Sequence, residues 1–217
     1  MLKLEDFVRE FPVDKKTDRD CESVILIEWL KAHGPFKSVL DIGCHSSLDE
    51  GGYAQTVREL TKLYDGIDIE YDNRMEGFLN HYFIGNANTQ SLNQYEAVLC
   101  VSTIEHAGLS TYKGSNEEEK SKLFETALGL ASKYLWISFP VGQPYVYPDQ
   151  LSIITEKQLR RFETLTSNFQ VKQRFFYNQG PQAGHPWYEH TKRDVALKIP
   201  YIDYVGNASI CVMEIEK

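Results

Sequence analysis

The chain has 217 residues and a mass of 25.0 kDa, enough for one well-buried core, so a single domain over residues 1–217 is expected. Hydrophobic residues make up 42% and charged residues 25%, the balance of an ordinary globular protein rather than a disordered or fibrous one. A formal net charge of −8 argues against nucleic acid as a partner, and no apolar run approaches the roughly 20 residues of a membrane-crossing helix.

The opening stretch "MLKLEDFVREF" lacks the apolar segment of a signal peptide, and residues 1–19 read as an N-terminal extension. A helix is expected over residues 20–32, with Gly34 placed to end it and Pro35 just beyond. "KSVLDIG" then reads as a buried strand running into a glycine turn. Tyr53, Val57, Leu60 and Tyr64 recur at helical spacing and predict an amphipathic helix beginning near Glu50. "YDGIDIE" is a second strand, "HYFIGNA" a third and "YEAVLCVST" a fourth.

"SNEE" at 115–118 fits a capping box, opening a helix whose apolar face is Leu123, Phe124, Ala127, Leu128 and Ala131. "YLWISFPV" is a fifth strand, stopped by Pro140. "TEKQ" at 155–158 is another capping box, with Leu159 and Phe162 turned inward. "FQVKQRFFY" and "ASICVMEIE" alternate as the last two strands, and without a clear helix between them they can pair antiparallel. The intervening residues 178–206 read as a long aromatic loop, of the kind that is often functional in a compact domain.

Cys21, Cys44, Cys100 and Cys211 are widely spaced with no C-x-x-C pair. Cys44, Cys100 and Cys211, in or beside strand-like runs, read as small buried hydrophobes; the pattern suits a reducing compartment, which makes a cytoplasmic location the simplest expectation. His185 and His190 flank "PWYE", but their spacing fits no zinc pattern and no metal is expected. Trp187, Tyr188, Tyr201 and Tyr204 offer flat surfaces with polar tips to a sugar or an aromatic ligand, with core packing as the competing use.

Strand and helix alternate through most of the chain, which predicts a mostly parallel sheet covered on both faces. Ligands of such sheets sit outside the carboxyl ends of the strands. Asp41 and Gly43 lie at the first of those ends, where glycine permits a tight turn and a close approach to the main chain. Asp68 ends the second strand, and an acid there can accept both hydroxyls of a ribose.

"VLDIGC", "YDGIDIE", "FIGNA", "YEAVLCVSTIEHAG" and "YLWISFPVG", in that order, resemble the class I S-adenosylmethionine-dependent methyltransferases. The similarity runs from about Cys21 to the C-terminus, with its specific motifs between Val39 and Gly142. It implies an α/β fold: a three-layer α/β/α Rossmann-like sandwich on a mostly parallel seven-stranded sheet, the last strand antiparallel. It implies S-adenosylmethionine as cofactor. Asp41, Gly43 and the backbone of Cys44 and His45 occupy the positions of the first glycine loop, Asp68 that of the ribose acid, and Ile69 that of the apolar residue beside adenine. Asn86, followed by Ala87, replaces the acid that meets the adenine amino group, and its side-chain oxygen can accept the same hydrogen bond. Ser102 opens "STIEHAG", the segment beside the transferred methyl; there His106 is the candidate base, with Glu105 to orient it.

The chain departs from the family's G-x-G-x-G loop: only Gly43 remains, with His45 and Ser47 at the other two positions. The hydroxyls of Ser46 and Ser47 either bind the cofactor's carboxylate or amine, or cap the helix that follows. The resemblance implies a methyltransferase with a small-molecule acceptor, favouring a sugar hydroxyl of a surface-glycan or secondary-metabolite pathway, with residues 178–206 on the acceptor side. The alternative is a non-catalytic relative serving as a binding or scaffold module. A nicotinamide-dependent oxidoreductase is disfavoured, since G-x-G-x-x-G is absent.

Overall fold

The computed structural model describes residues 7–11, 18–49, 52–108, 117–144, 146–147, 151–179, 187–190, 192–199 and 207–217. Strand β1 (Phe7–Phe11) precedes helix α1 (Asp18–His33), strand β2 (Phe36–Ile42), helix α2 (Ala54–Leu60), strand β3 (Thr61–Asp68), strand β4 (His81–Ile84) and strand β5 (Tyr95–Val101). Helix α3 (Glu117–Leu130), strand β6 (Ala131–Pro140), a ribbon of β7 (Val146–Tyr147) and β8 (Leu151–Ser152), and helix α4 (Glu156–Leu165) follow. The chain closes with β9 (Gln170–Gln179), β10 (Trp187–His190), the short helix α5 (Arg193–Ala196) and β11 (Asn207–Glu216).

The main sheet has the order β1-β10-β9-β11-β6-β5-β2-β3-β4. The seven consecutive strands from β9 to the β4 edge are those expected: β11 is antiparallel to both β6 and β9, and the other six share one direction. Burial on both faces explains why β2 and β5 read as continuous apolar runs. Val39, Ala97, Leu99 and Val101 face one way, onto Cys21, Ile25, Leu26 and Trp29 of α1 and Val57 of α2. Leu40, Val98 and Cys100 face the other way, onto Phe124 of α3 and Phe162 of α4. Those two rings stack with centroids 4.3 Å apart. Each such fully buried side chain contributes about 1.5–3 kcal/mol by leaving water. The capping box of α4 is formed, with the Thr155 N–H donating to Gln158 Oε1 at 2.9 Å; the one expected at 115–118 falls mostly outside the described residues.

Two expectations are corrected. Tyr64 belongs to β3, not to the preceding helix, which ends at Leu60. Its helical spacing is coincidental: the ring is buried from a strand and its hydroxyl reaches Asp41. The segment read as a loop also holds β10 and α5, and β10 with β1 extends the sheet to nine strands. The Arg174 guanidinium fastens β10 to β9, meeting both carboxylate oxygens of Glu189 at 2.9 and 3.0 Å. Among the described residues no helix is long and apolar enough to cross a membrane.

Strand order reverses beside β2. The chain leaves it for β3 and β4 on one side, then returns to β5 and β6 on the other. The loops after β2 and β5 therefore diverge at the carboxyl edge and open a crevice between them. Helix α1 feeds β2 and runs opposite to it, so its first turn reaches the same edge.

Candidate functional site

A cleft of about 240 Å³ opens at this edge. Its wall includes Arg19 from α1, Gly43 and His45 after β2, Asp68, Ile69 and Glu70 after β3, and Asn86, Ala87 and Asn88 after β4. Ser102, Thr103 and His106 close it after β5, with Glu119 and Leu123 from α3.

The turn after β2 leaves no room for a side chain at Gly43. Its φ is 77°, and a Cβ there would fall 2.1 Å from Thr103 Oγ1. The chain then winds a 3₁₀ turn, Cys44–Leu48, whose side chains point mainly away from the cleft. Cys44 is buried; a Cβ on Gly66 would lie 2.8 Å from its sulfur, and burial pushes the thiol well up from its usual range. Ser47 is buried beside Tyr64, and Ser46 is off the cleft wall. His45 alone borders the cleft, and its backbone N–H donates to Asp68 Oδ2 at 3.0 Å. Arg74 clamps this loop from outside, donating to Asp49 Oδ1 (2.8 Å), the His45 carbonyl (3.3 Å) and Asp72 Oδ2 (2.6 Å). Arg74 in turn holds the Asp72 carboxyl below its ordinary range, chiefly through hydrogen bonding.

Asp41 lies beneath the turn, fully buried. It accepts hydrogen bonds from the Tyr53 hydroxyl at 3.1 Å and the Tyr64 hydroxyl at 2.9 Å. Burial pushes its carboxyl up to about 7, against the opposing pull of the two hydroxyls and Arg19. Asp68 stands on the wall, its Oδ1 accepting the Glu70 N–H at 3.2 Å.

Beyond β4, Asn86 Oδ1 accepts the Asn88 N–H at 2.9 Å, an Asx turn. Beyond β5, Ser102 takes a left-handed φ of 42° and bonds both oxygens of buried Glu22 at 2.7 Å. Arg19, one turn earlier on α1, donates to the Val101 carbonyl at 3.1 Å. His106 borders the cleft, whereas Glu105 is buried off the wall, its Oε1 3.9 Å from His106 Nε2. Among the described residues no His, Cys, Asp or Glu side chains group to hold a metal ion.

No family model matches the sequence, and no curated protein matches it. Its backbone, however, superposes on known structures. Magnesium protoporphyrin IX methyltransferase from Synechocystis PCC 6803, solved with bound SAM, matches at TM-score 0.53 and 14% identity, over 89% of this chain and 78% of that one. The N-methyltransferase NodS from Bradyrhizobium japonicum WM9, in complex with S-adenosyl-L-homocysteine, gives 0.56 and 8%, over 81% and 88%. A SAM-dependent methyltransferase from Leishmania major gives 0.54 and 13%, over 89% and 70%. The chain has the class I methyltransferase fold.

On this methyltransferase fold, eight of the residues singled out in the sequence share the cleft: Gly43, His45, Asp68, Ile69, Asn86, Ala87, Ser102 and His106. Asp41, Cys44, Ser46, Ser47 and Glu105 lie off its wall. The helix that Ser46 and Ser47 were to cap starts at Ala54, so neither caps it. Arg19 and Glu119 were missed, and for Arg19 a signal existed. Glu22, Ile25, Leu26 and Trp29 follow the i, i+3, i+4, i+7 stripe of α1, so the charge at Glu22 fell on an apolar face, with Arg19 one turn before it. A charge on such a stripe needs a polar partner indoors. Glu119 carried no such signal, because a glutamate early in a helix suits any exposed first turn.

Proposed function

We propose that the protein is an S-adenosylmethionine-dependent methyltransferase acting on a small-molecule acceptor. The observation that carries this reading is the cleft at the strand-order reversal, where Gly43 and the strand-end acid Asp68 meet on one wall. The residues present suit the cofactor. The turn at Gly43 exposes main chain where a Cβ would clash, and Arg19 brings a guanidinium that matches a carboxylate. Asp68 keeps free lone pairs for ribose hydroxyls, and Ile69, 43% exposed, offers an apolar face to adenine. Asp68, Glu70 and Glu119 make the rest of the wall acidic, which favours a ligand carrying a positive sulfur.

S-adenosylmethionine, when bound, supplies a methyl group on a sulfonium. The chain's own task is to hold the acceptor in line and remove its proton. His106, on the cleft after β5, takes the proton that an acceptor hydroxyl loses as its oxygen gains the methyl. Glu105 acts at most through His106, since it is buried and 3.9 Å from the ring nitrogen. The segment after β9 is assigned to the acceptor side, a reading supported by the Gln143 N–H, just past β6, which donates to the Ile199 carbonyl at 3.1 Å and ties the end of α5 to β6. A sugar hydroxyl is the favoured acceptor.

Incubation with methyl-labelled cofactor and a panel of sugar nucleotides and glycosides tests this reading, with label expected in at least one acceptor. With that acceptor, His106→Ala should lower kcat by about 100-fold, within the usual range for a general base, and leave cofactor affinity unchanged. Full turnover by His106→Ala would remove the base assignment.

A further inference from the structure

We propose that Glu119 of α3, not Asn86, is the acceptor that recognises the adenine amino group, which makes it a specificity residue of the cofactor site. The inference rests on the cofactor reading above. Asn86 occupies the place after β4 where the sequence leads one to look. Its side-chain oxygen accepts the Asn88 N–H at 2.9 Å, which aims it along the turn and leaves it one lone pair, and the residue is exposed. It bears no charge, so any contact it made to an amino group would be the weaker kind of hydrogen bond.

Glu119 lines the same end of the cleft as Asn86, Ala87 and Asn88. A relay of side chains fixes its carboxylate. Thr126 Oγ1 donates to Asn88 Oδ1 at 2.8 Å. Asn88 Nδ2 then donates to Glu119 Oε2 at 3.2 Å. Glu119 and Thr126 stand about two helical turns apart on α3, a rigid element, and Asn88 is on the loop after β4. The relay therefore ties the helix to that loop and holds an acceptor over the cleft. Among the described residues Oε1 accepts no other hydrogen bond, and an exocyclic amine is a donor of matching kind.

The test uses S-adenosylhomocysteine and its purine riboside counterpart, which lacks only the amino group and keeps the ring nitrogens. Calorimetry on the wild-type protein should show the adenosyl compound binding about tenfold or more tightly, as a hydrogen bond to a charged acceptor gives. Glu119→Ala should bind both compounds alike. In Glu119→Gln the amide oxygen should take the bond from Asn88 and turn its NH₂ toward the base, so the preference should vanish or reverse. Asn86→Ala should keep a preference for the amino compound. Tenfold discrimination retained in both Glu119 variants would overturn the proposal while leaving the cofactor reading intact. No binding of S-adenosylhomocysteine to the wild-type protein would instead overturn the cofactor reading.

Discussion

Asp41→Ala is expected to lower the unfolding free energy by about 3 kcal/mol at acid pH, where the carboxyl is protonated, because it strands two buried phenol hydroxyls at about 1–3 kcal/mol each. Tyr53 and Tyr64 are both fully buried and both donate to this carboxyl. The pH dependence is the sharper test. Burial raises the folded carboxyl from 3.8 to about 7, so between those values the folded state holds a proton that the unfolded chain has released. The contribution is complete below pH 3.8, falls as pH rises, and is gone above about pH 7, at a slope of up to about 1.4 kcal/mol per unit. Asp41→Asn carries a neutral amide in the same place and should remove that slope. Denaturant titrations of the wild type and this variant between about pH 5 and pH 8 read the difference directly. Equal slopes in the two proteins would mean that Asp41 is ionised in the folded state.

Asp68→Ala is expected to weaken S-adenosylhomocysteine binding by about 100-fold, the loss of two charge-assisted hydrogen bonds at the lower end of their range. The carboxylate is positioned before any ligand arrives, since the N–H groups of His45 and Glu70 each hold one oxygen. Asp68→Asn should fall between, because an amide keeps one acceptor and replaces the other with a donor. The fold should tolerate both variants, as the bond to the Glu70 N–H is exposed and that to the His45 N–H only part-buried. A melting curve checks that tolerance and a calorimetric titration reads the affinity. Unchanged affinity in Asp68→Ala would take the ribose away from this residue.

Much of the fold was legible in the sequence because its central strands are buried on both faces. "YEAVLCV" and "YLWISFP" needed no partner to be recognised as strands of a covered parallel sheet. The edge was harder to read. "WYEH" is four residues long and sits among prolines and glycines, so its pairing with β9 and β1 depends on tertiary contacts that local pattern does not carry. Tyr64 misled for a related reason, since an apolar residue four positions after Leu60 satisfies a helical template even when the chain has already become a strand.

The cleft was legible only in part. Gly43 and Asp68 announce themselves by residue type at a strand end, but Asp41 has the same signature and serves the interior. What separates the two acids is the pair of tyrosines from α2's cap position and β3, which only the folded chain brings to Asp41. In the altered glycine loop, too, side-chain direction was hidden from the sequence. Cys44 and Ser47 are buried and Ser46 stays off the wall, so of the two residues that replace glycines only His45 borders the cleft.

The most direct test of the central claim is a calorimetric titration of the purified protein with S-adenosylhomocysteine, run beside one with NAD. Saturable binding of the sulfur compound and none of the dinucleotide is the expected result. No heat of binding from S-adenosylhomocysteine at millimolar concentration would contradict it.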